Sequence, residues 1–181
     1  EASGYEVLIF HATGTGGKAM ESLIQSGRVK GVLDVTTTEW ADELTGATLS
    51  AGPTRLDAMS IANVPAVVSP GCLDMANFGE PESIPEKYKN RHFYIHNPQV
   101  TLMRTTAEEC KKLGEIIATK CNANKAPTSI MLPLKGVSAI SIAGQPFEDQ
   151  MADKSLFEAI RSHAKGEVVE IEEIINSEIF A

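Results

Sequence analysis

The stretch that decides the fold is VLIFHATGTGGKAMESLI, residues 7–24, in which an apolar run leads through a cluster of glycines into a helical pattern. Residues 7–10 are continuously apolar, as expected for a strand that is covered on both faces. Beyond the glycines, Met20, Leu23 and Ile24 recur at helical spacing, and Gly27 is placed to end that helix. The stretch therefore predicts a strand, a tight turn and a helix, which is the repeating unit of a parallel α/β sheet.

The rest of the chain repeats this alternation. Helical patterns separate most of the further strands, which are predicted over residues 31–35, 64–69, 92–96, 128–132 and 167–171. Residues 72–90 contain several prolines and glycines and predict a long irregular loop. Thr105 and Thr106 are each followed three residues later by glutamate, which is the spacing of a capping box, and Asp153 is predicted to cap the last helix. We therefore expect one α/β domain, doubly wound and Rossmann-like, with a mostly parallel sheet of about five to six strands.

Composition narrows the class of protein. The chain has 181 residues and a net charge of -8, with a pI near 5.0, so its surface should repel nucleic acid. No apolar run approaches the roughly 18 residues that a membrane span needs. Three cysteines, without metal-like spacing to the four histidines, favour a reducing cytoplasm and predict no metal site.

The glycine cluster is the sharpest candidate site. Backbone N–H groups of a glycine-rich turn at a helix N-terminus can approach an anion closely. The pattern is not a Walker A motif, because Ala19 stands where that motif needs Ser or Thr for Mg²⁺, and it does not fit GxGxxG either. A plain strand-to-helix turn explains one or two of the glycines equally well. The predicted nucleotide- or phosphate-binding residues are Thr13, Gly14, Thr15, Gly16, Gly17 and Lys18.

Other polar residues are expected at the same edge of the sheet. Ligands of an open parallel sheet bind beyond the carboxyl ends of the strands, and this rule selects residues 11–18, 36–39, 69–77, 96–99 and 135–138. Glu39 could contact a ligand or act as a base, but as the fourth residue of Thr-x-x-Glu it is better explained as a helix cap. Cys72 follows a strand, yet no histidine is in register to activate it, so nucleophilic catalysis is disfavoured.

Five ordered motifs together resemble one family: FHATGTGGKAME, GVLDVTTTE, LDMANFG, HNPQVTLMRTT and LPLKGVSAI. It is the family of two-domain bacterial, fungal and plant proteins described as having a Tm-1-like ATP-binding domain. Its plant member is the tomato mosaic virus resistance protein, an inhibitor of viral RNA replication. The resemblance runs from Tyr5 to about Phe157, and it implies that this chain is similar to the second of two Rossmann-like domains.

The resemblance implies a preceding N-terminal domain as partner, a tendency to form homo-oligomers, and ATP, with Mg²⁺, as the candidate cofactor. The residues that carry over are Thr13, Gly14, Gly16, Gly17, Glu39, Asn77, His96, Asn97, Lys135 and Gly136. Three hypotheses follow. The first is a nucleotide-binding module that forms one side of an interdomain cleft. The second is an interaction and dimerisation domain without its own ligand. The weakest is an enzyme acting on a small phosphorylated or acidic substrate through His11, Glu39 and Lys135.

Overall fold

The computed structural model describes residues 4–180. Within this range the chain forms five α-helices, seven β-strands and two short 3₁₀ turns. In chain order the elements are α1 (Thr15–Gln25), β1 (Val32–Thr36), α2 (Glu39–Thr45), α3 (Asp57–Ala62), β2 (Ala66–Gly71), β3 (Met75–Phe78), β4 (Phe93–Asn97), β5 (Val100–Arg104), α4 (Ala107–Ala123), β6 (Thr128–Pro133), α5 (Gln150–His163) and β7 (Glu167–Ile171). The α/β fold class predicted from the sequence is confirmed.

The main sheet has four parallel strands in the order β1-β2-β6-β7. Each new strand is added on the same side of the previous one, so right-handed crossovers place the connecting helices over a single face of this sheet. On that face Val68, Ile130 and Leu132 are buried in one core with Leu113 and Leu156 of the helices.

The opposite face of the parallel sheet is partly open within the described residues. Leu33 and Val35 of β1 point away from the core and are 75% and 48% exposed. This follows from the alternation of side chains along a strand, because their neighbours Val32 and Asp34 are buried on the helix side. In a doubly wound sheet helices would lie on both faces.

Two predicted strands behave differently from expectation. Residues 7–10 form no β-strand, and Leu8 and Ile9 are exposed, because no neighbouring strand of the described chain pairs with them. The strand predicted at 92–96 is β4, but it belongs to a second, antiparallel sheet of order β3-β5-β4. The prediction of a loop over 72–90 missed β3, whose Met75 pairs with Arg104 of β5.

The first residues of α4 and α5 show which side chains cap these helices. Of the two predicted capping pairs at the start of α4, Thr106 and Glu109 form the capping box, with both reciprocal bonds present, whereas the Thr105 hydroxyl donates to the Leu73 carbonyl oxygen. At α5 the cap is Asp149, which accepts a hydrogen bond from the Ala152 N–H. The prediction of Asp153 as the cap was wrong, since its carboxylate pairs with Arg104 at 2.6 Å.

Candidate functional site

The glycine turn is closed over a buried carboxylate. The N–H groups of Gly14 and Gly17 donate to Oε1 of Glu39 at 2.6 and 3.2 Å, and Glu39 is fully buried. The partial positive charge at the N-terminus of α1 therefore faces an anion that belongs to the protein itself. The prediction of Glu39 as a cap of α2 was wrong: Thr38 is the N-cap without a side-chain bond, and Glu39 reaches back to the glycine turn.

Two of the glycines are required by close approach. A Cβ atom at Gly17 would overlap the Glu39 carboxylate, and one at Gly16 would overlap the carbonyl oxygen of His11. Gly14 has a φ of 77°, which favours glycine. The packing of the turn against Glu39 thus accounts for the glycine pattern before any ligand is considered.

Arg55 lies at the centre of the buried charges beneath the turn. Its guanidinium donates to Glu39 at 2.5 Å and to both oxygens of Asp34 at 2.5 and 2.8 Å. Glu21 accepts from the same side chain at 3.2 Å. Burial alone would lower the pKa of Arg55, but Asp34 and Glu39 raise it above its ordinary value. We call Arg55, Glu21, Asp34 and Glu39 the arginine cluster.

Sequence reasoning missed the arginine cluster apart from Glu39. The available signal was Asp34, a carboxylate inside an otherwise apolar strand, because such a group is almost never buried without a partner. Its partner, Arg55, lies 21 residues further along the chain, so nothing local in the sequence links the two.

The outer surface of the glycine turn remains accessible. Thr13, Thr15 and Lys18 are exposed, and Lys18 has no ion-pair partner among residues 4–180. The Gly16 N–H likewise makes no hydrogen bond within the described residues. Since His11 is also exposed, these groups form one polar patch above the buried Glu39, which we call the loop patch.

The remaining predicted residues do not all join the loop patch. Asn77 is buried, and its side-chain amide donates to Asp42 at 3.0 Å and to Thr38 at 3.2 Å, so it fixes α2 against β3. Asn97 accepts from the Gln99 N–H in the tight β4–β5 turn. The Lys135 ammonium group lies 3.8 Å from the Glu173 carboxylate. Both residues follow the β6–β7 pair, at the end of the sheet order opposite to β1.

Gly136 and His96 lie in two different places, and neither belongs to the loop patch. Gly136 has a φ of 147°, and a Cβ atom there would overlap Ile142. The backbone conformation and the close packing both require glycine at this position. His96 lines a cleft of about 450 Å³ over the open face of the parallel sheet. We call this the sheet-face cleft; it reaches Thr36, at the carboxyl end of β1. A smaller cavity of about 240 Å³ lies at the opposite end, beside Asn124.

A second buried polar group lies behind the sheet-face cleft. Asp74 accepts a hydrogen bond from the Ser138 hydroxyl at 2.7 Å, while its other carboxylate oxygen has no partner among residues 4–180. Burial raises the pKa of Asp74 to about 6. Burial, together with the charge of Asp74, raises the pKa of the neighbouring Cys72 to about 12, so this thiol stays protonated and is a poor nucleophile at neutral pH.

Comparison with known proteins places the chain in a family. Residues 1–181 match the C-terminal domain of an uncharacterised protein family, UPF0261, and the chain belongs to that family. It is 53% identical, over its whole length, to a UPF0261 protein of Clostridium tetani. It is also 49% identical over 90% of its length to a UPF0261 protein of Mesorhizobium japonicum. The tomato mosaic virus resistance protein Tm-1 of Solanum lycopersicum is 46% identical over 84% of this chain.

The chain is shorter than these relatives. It spans 46% of the Clostridium protein, 41% of the Mesorhizobium protein and 20% of the tomato protein. The helices formed by residues 4–180 are all too short or too polar to cross a membrane.

Proposed function

We propose that this UPF0261 C-terminal domain forms one side of a nucleotide-binding cleft, with ATP, accompanied by Mg²⁺, as the candidate ligand. The observation that carries the proposal is the loop patch. Its Gly16 N–H, the Thr15 hydroxyl and the Lys18 ammonium group are donors without a partner among residues 4–180, and the exposed Thr13 hydroxyl makes only a long hydrogen bond of 3.5 Å to the His11 carbonyl oxygen. Donors of this kind at a helix N-terminus suit phosphate oxygens.

Glu39 gives the loop patch its shape. By binding the Gly14 and Gly17 N–H groups from below, it holds the turn in one conformation, so a phosphate pays little ordering entropy. The same carboxylate uses the inner donors, and phosphate contact is therefore limited to the outer surface of the turn.

One side of the cleft is expected to bind a triphosphate more weakly than the complete cleft does. Lys18 is the single cation of the loop patch, and the chain as a whole carries a net charge of -8. ATP stays anionic even with Mg²⁺ bound, so tight binding needs further cations, and we propose that the partner domain of the longer protein supplies them. The chain's share of its relatives, less than half of the Clostridium protein, supports this proposal.

The test is thermal unfolding across an ATP titration with MgCl₂. Ligand at about 100 times its Kd adds about 2.7 kcal/mol of stability, which is a shift of several degrees for a domain of this size. Lys18→Ala should remove most of the shift. Lys111→Ala, an exposed lysine on α4, loses the same charge away from the loop patch and should leave the shift unchanged. Equal shifts in both variants, or none in the parent chain, would overturn the proposal.

A second candidate function is protein interaction, which residues 5–10 favour. Their backbone groups make no hydrogen bond to other described residues, and Ile9 is 82% exposed. β1 is an edge of the parallel sheet, so it offers a free row of backbone donors and acceptors to an added strand. An apolar segment that is unpaired among the described residues, together with an open sheet edge, is suited to assembly, either as a homo-oligomer or with the preceding domain.

Light scattering after gel filtration tests this candidate. An interaction module predicts a dimer whose fraction rises with concentration and is lost in Ile9→Glu. Ile61→Glu changes an equally apolar, exposed residue on α3 and should leave the dimer intact. A monomer at all concentrations, for the parent chain and both variants, would count against self-assembly.

A further inference from the structure

The sheet-face cleft has the construction of a small-molecule site. Its floor comes from the outward-facing side chains of three parallel strands, and its walls come from the antiparallel sheet, the loop after β6 and the C-terminal segment. The apolar residues that line it include Leu33, Val35, Val67, Leu102, Met131 and Ile140. Its volume of about 450 Å³ lies within the range of ligand pockets, and it opens beside the carboxyl ends of the strands, where ligands of parallel sheets bind.

The lining carries almost no charge. Lysine, arginine, aspartate and glutamate are absent from the residues of the described chain that line the cleft. Cys72, one of its two titratable residues, has a pKa raised by burial to about 12 and stays neutral; His96 is the other. A charged group would lose its hydration here without a partner, so the chemistry selects an uncharged ligand or an uncharged part of one.

Ser69 provides a specific contact. It is fully buried in the floor of the cleft, and its hydroxyl has no hydrogen-bond partner among residues 4–180. A buried hydroxyl without a partner costs free energy that a ligand can recover. By contrast, the Ser138 hydroxyl at the rim is already bound to Asp74 and accepts from the Ser141 N–H.

We infer that the sheet-face cleft binds an uncharged planar heterocycle, a nucleobase of the adenine type, with a ring nitrogen or amino group on the Ser69 hydroxyl. The inference rests on the proposed function, because it assigns the two ends of one nucleotide to two places. Thr36 lines the cleft, and Glu39, three residues later, supports the loop patch. Three residues span at most about 11 Å, so a ligand whose base lies over β1 and β2 can extend its phosphates around the β1–α2 turn.

Adenosine is the probe, because it has the base but no phosphate. Calorimetry of the full chain should show saturable binding of adenosine. Ala139→Trp fills the cleft from its exposed rim and should weaken binding at least tenfold, while Ser69→Ala should weaken it about fivefold. Lys111→Ala, on α4 and outside both the cleft and the loop patch, should leave adenosine binding unchanged.

A second readout does not depend on folding differences between variants. Cys72 lines the cleft, whereas Cys110 and Cys121 are buried in the core. Because its raised pKa makes Cys72 react slowly, labelling is followed over hours with excess maleimide. Saturating adenosine should slow it severalfold further, and the two core cysteines serve as internal controls.

Two results would overturn the inference: no adenosine binding by the parent chain, or binding that Ala139→Trp leaves unchanged. Protection of Cys72 that depends on protein concentration and not on adenosine would also overturn it, because the cleft would then be covered by a second copy. Failure of the proposed function has a different signature, since adenosine would bind normally while ATP gave no Lys18-dependent shift.

Discussion

The arginine cluster and the sheet-face cleft lie on either side of the same β1–α2 turn, but they differ in how well their buried polar groups are hydrogen-bonded. In the arginine cluster, Glu39 is bound by two backbone N–H groups and by Arg55. In and behind the cleft, Ser69 and one oxygen of Asp74 are buried without a partner in the described chain. The glycine motif is thus largely explained by internal structure, while buried hydrogen-bonding groups without a partner in the described chain lie outside it, at Ser69 and Asp74.

The largest expected effect comes from disrupting the arginine cluster, whose polar groups are hydrogen-bonded. Arg55→Met removes the guanidinium and leaves the buried Asp34 and Glu39 and the partly buried Glu21 without their common partner. Breaking a buried ion pair in this way costs about 3–5 kcal/mol, so the free energy of unfolding in urea should fall by that amount.

Arg161→Met is the matched control, because Arg161 forms an exposed pair with Glu170 and such pairs contribute about 1 kcal/mol or less. A loss of less than 1 kcal/mol for Arg55→Met would mean that the arginine cluster does not stabilise the turn.

A smaller effect is expected at the glycine turn. Gly17→Ala places a methyl group against the Glu39 carboxylate, and overpacking of this kind costs about 1–3 kcal/mol. Gly31→Ala meets only ordinary contacts before β1 and should change stability by less than about 1 kcal/mol. Equal urea midpoints for the two variants would show that Glu39 does not fill the space below the turn.

The smallest expected effect is the pH dependence of stability that arises from Asp74, behind the sheet-face cleft. The folded-state pKa of Asp74 is raised to about 6 from an ordinary 3.8, so the folded state holds this proton more tightly than the unfolded state. The stability contributed by protonation is full below pH 3.8 and is lost as the pH rises through 6. From pH 7 to pH 5, Asp74 should therefore add about 1 kcal/mol to the stability of the parent chain.

Asp74→Asn should remove this gain when urea unfolding is compared at pH 5 and pH 7. Glu82→Gln removes one negative charge from an exposed position and should retain it. If the pH response of Asp74→Asn matched that of the parent chain, another group would be responsible.

The sequence predicted those elements whose signals are local. The helix α1 and the strands β1, β6 and β7 follow from runs of apolar residues and glycine boundaries, and α4 from its capping box. β3 and β5 escaped prediction because their pairing, Met75 with Arg104, joins residues far apart in the chain. Residues 7–10 failed as a strand for a related reason: their apolar pattern is typical of a strand, but a strand needs a neighbour.

The residues of the candidate site also differ in whether their signal is local in the sequence. Gly14, Gly16 and Gly17 were found because a cluster of glycines before a helix is visible locally. The role of Glu39 was predicted wrongly, since its partners are Gly14, Gly17 and Arg55, which only the fold brings to it. Ser69 lay at the start of the predicted edge segment 69–77 but was not singled out, because what distinguishes it is a missing hydrogen bond, and only the surrounding structure determines that.

The most direct test of the account is an ATP titration followed by amide chemical shifts on the isotope-labelled 19.4 kDa chain. If one nucleotide spans the loop patch and the sheet-face cleft, the N–H signals of Gly16 and Lys18 should move together with those of Thr36, Ser69 and Cys72, on one binding curve. Adenosine should move only the second set. Shifts confined to other parts of the chain, or separate binding curves for the two sets, would contradict the account.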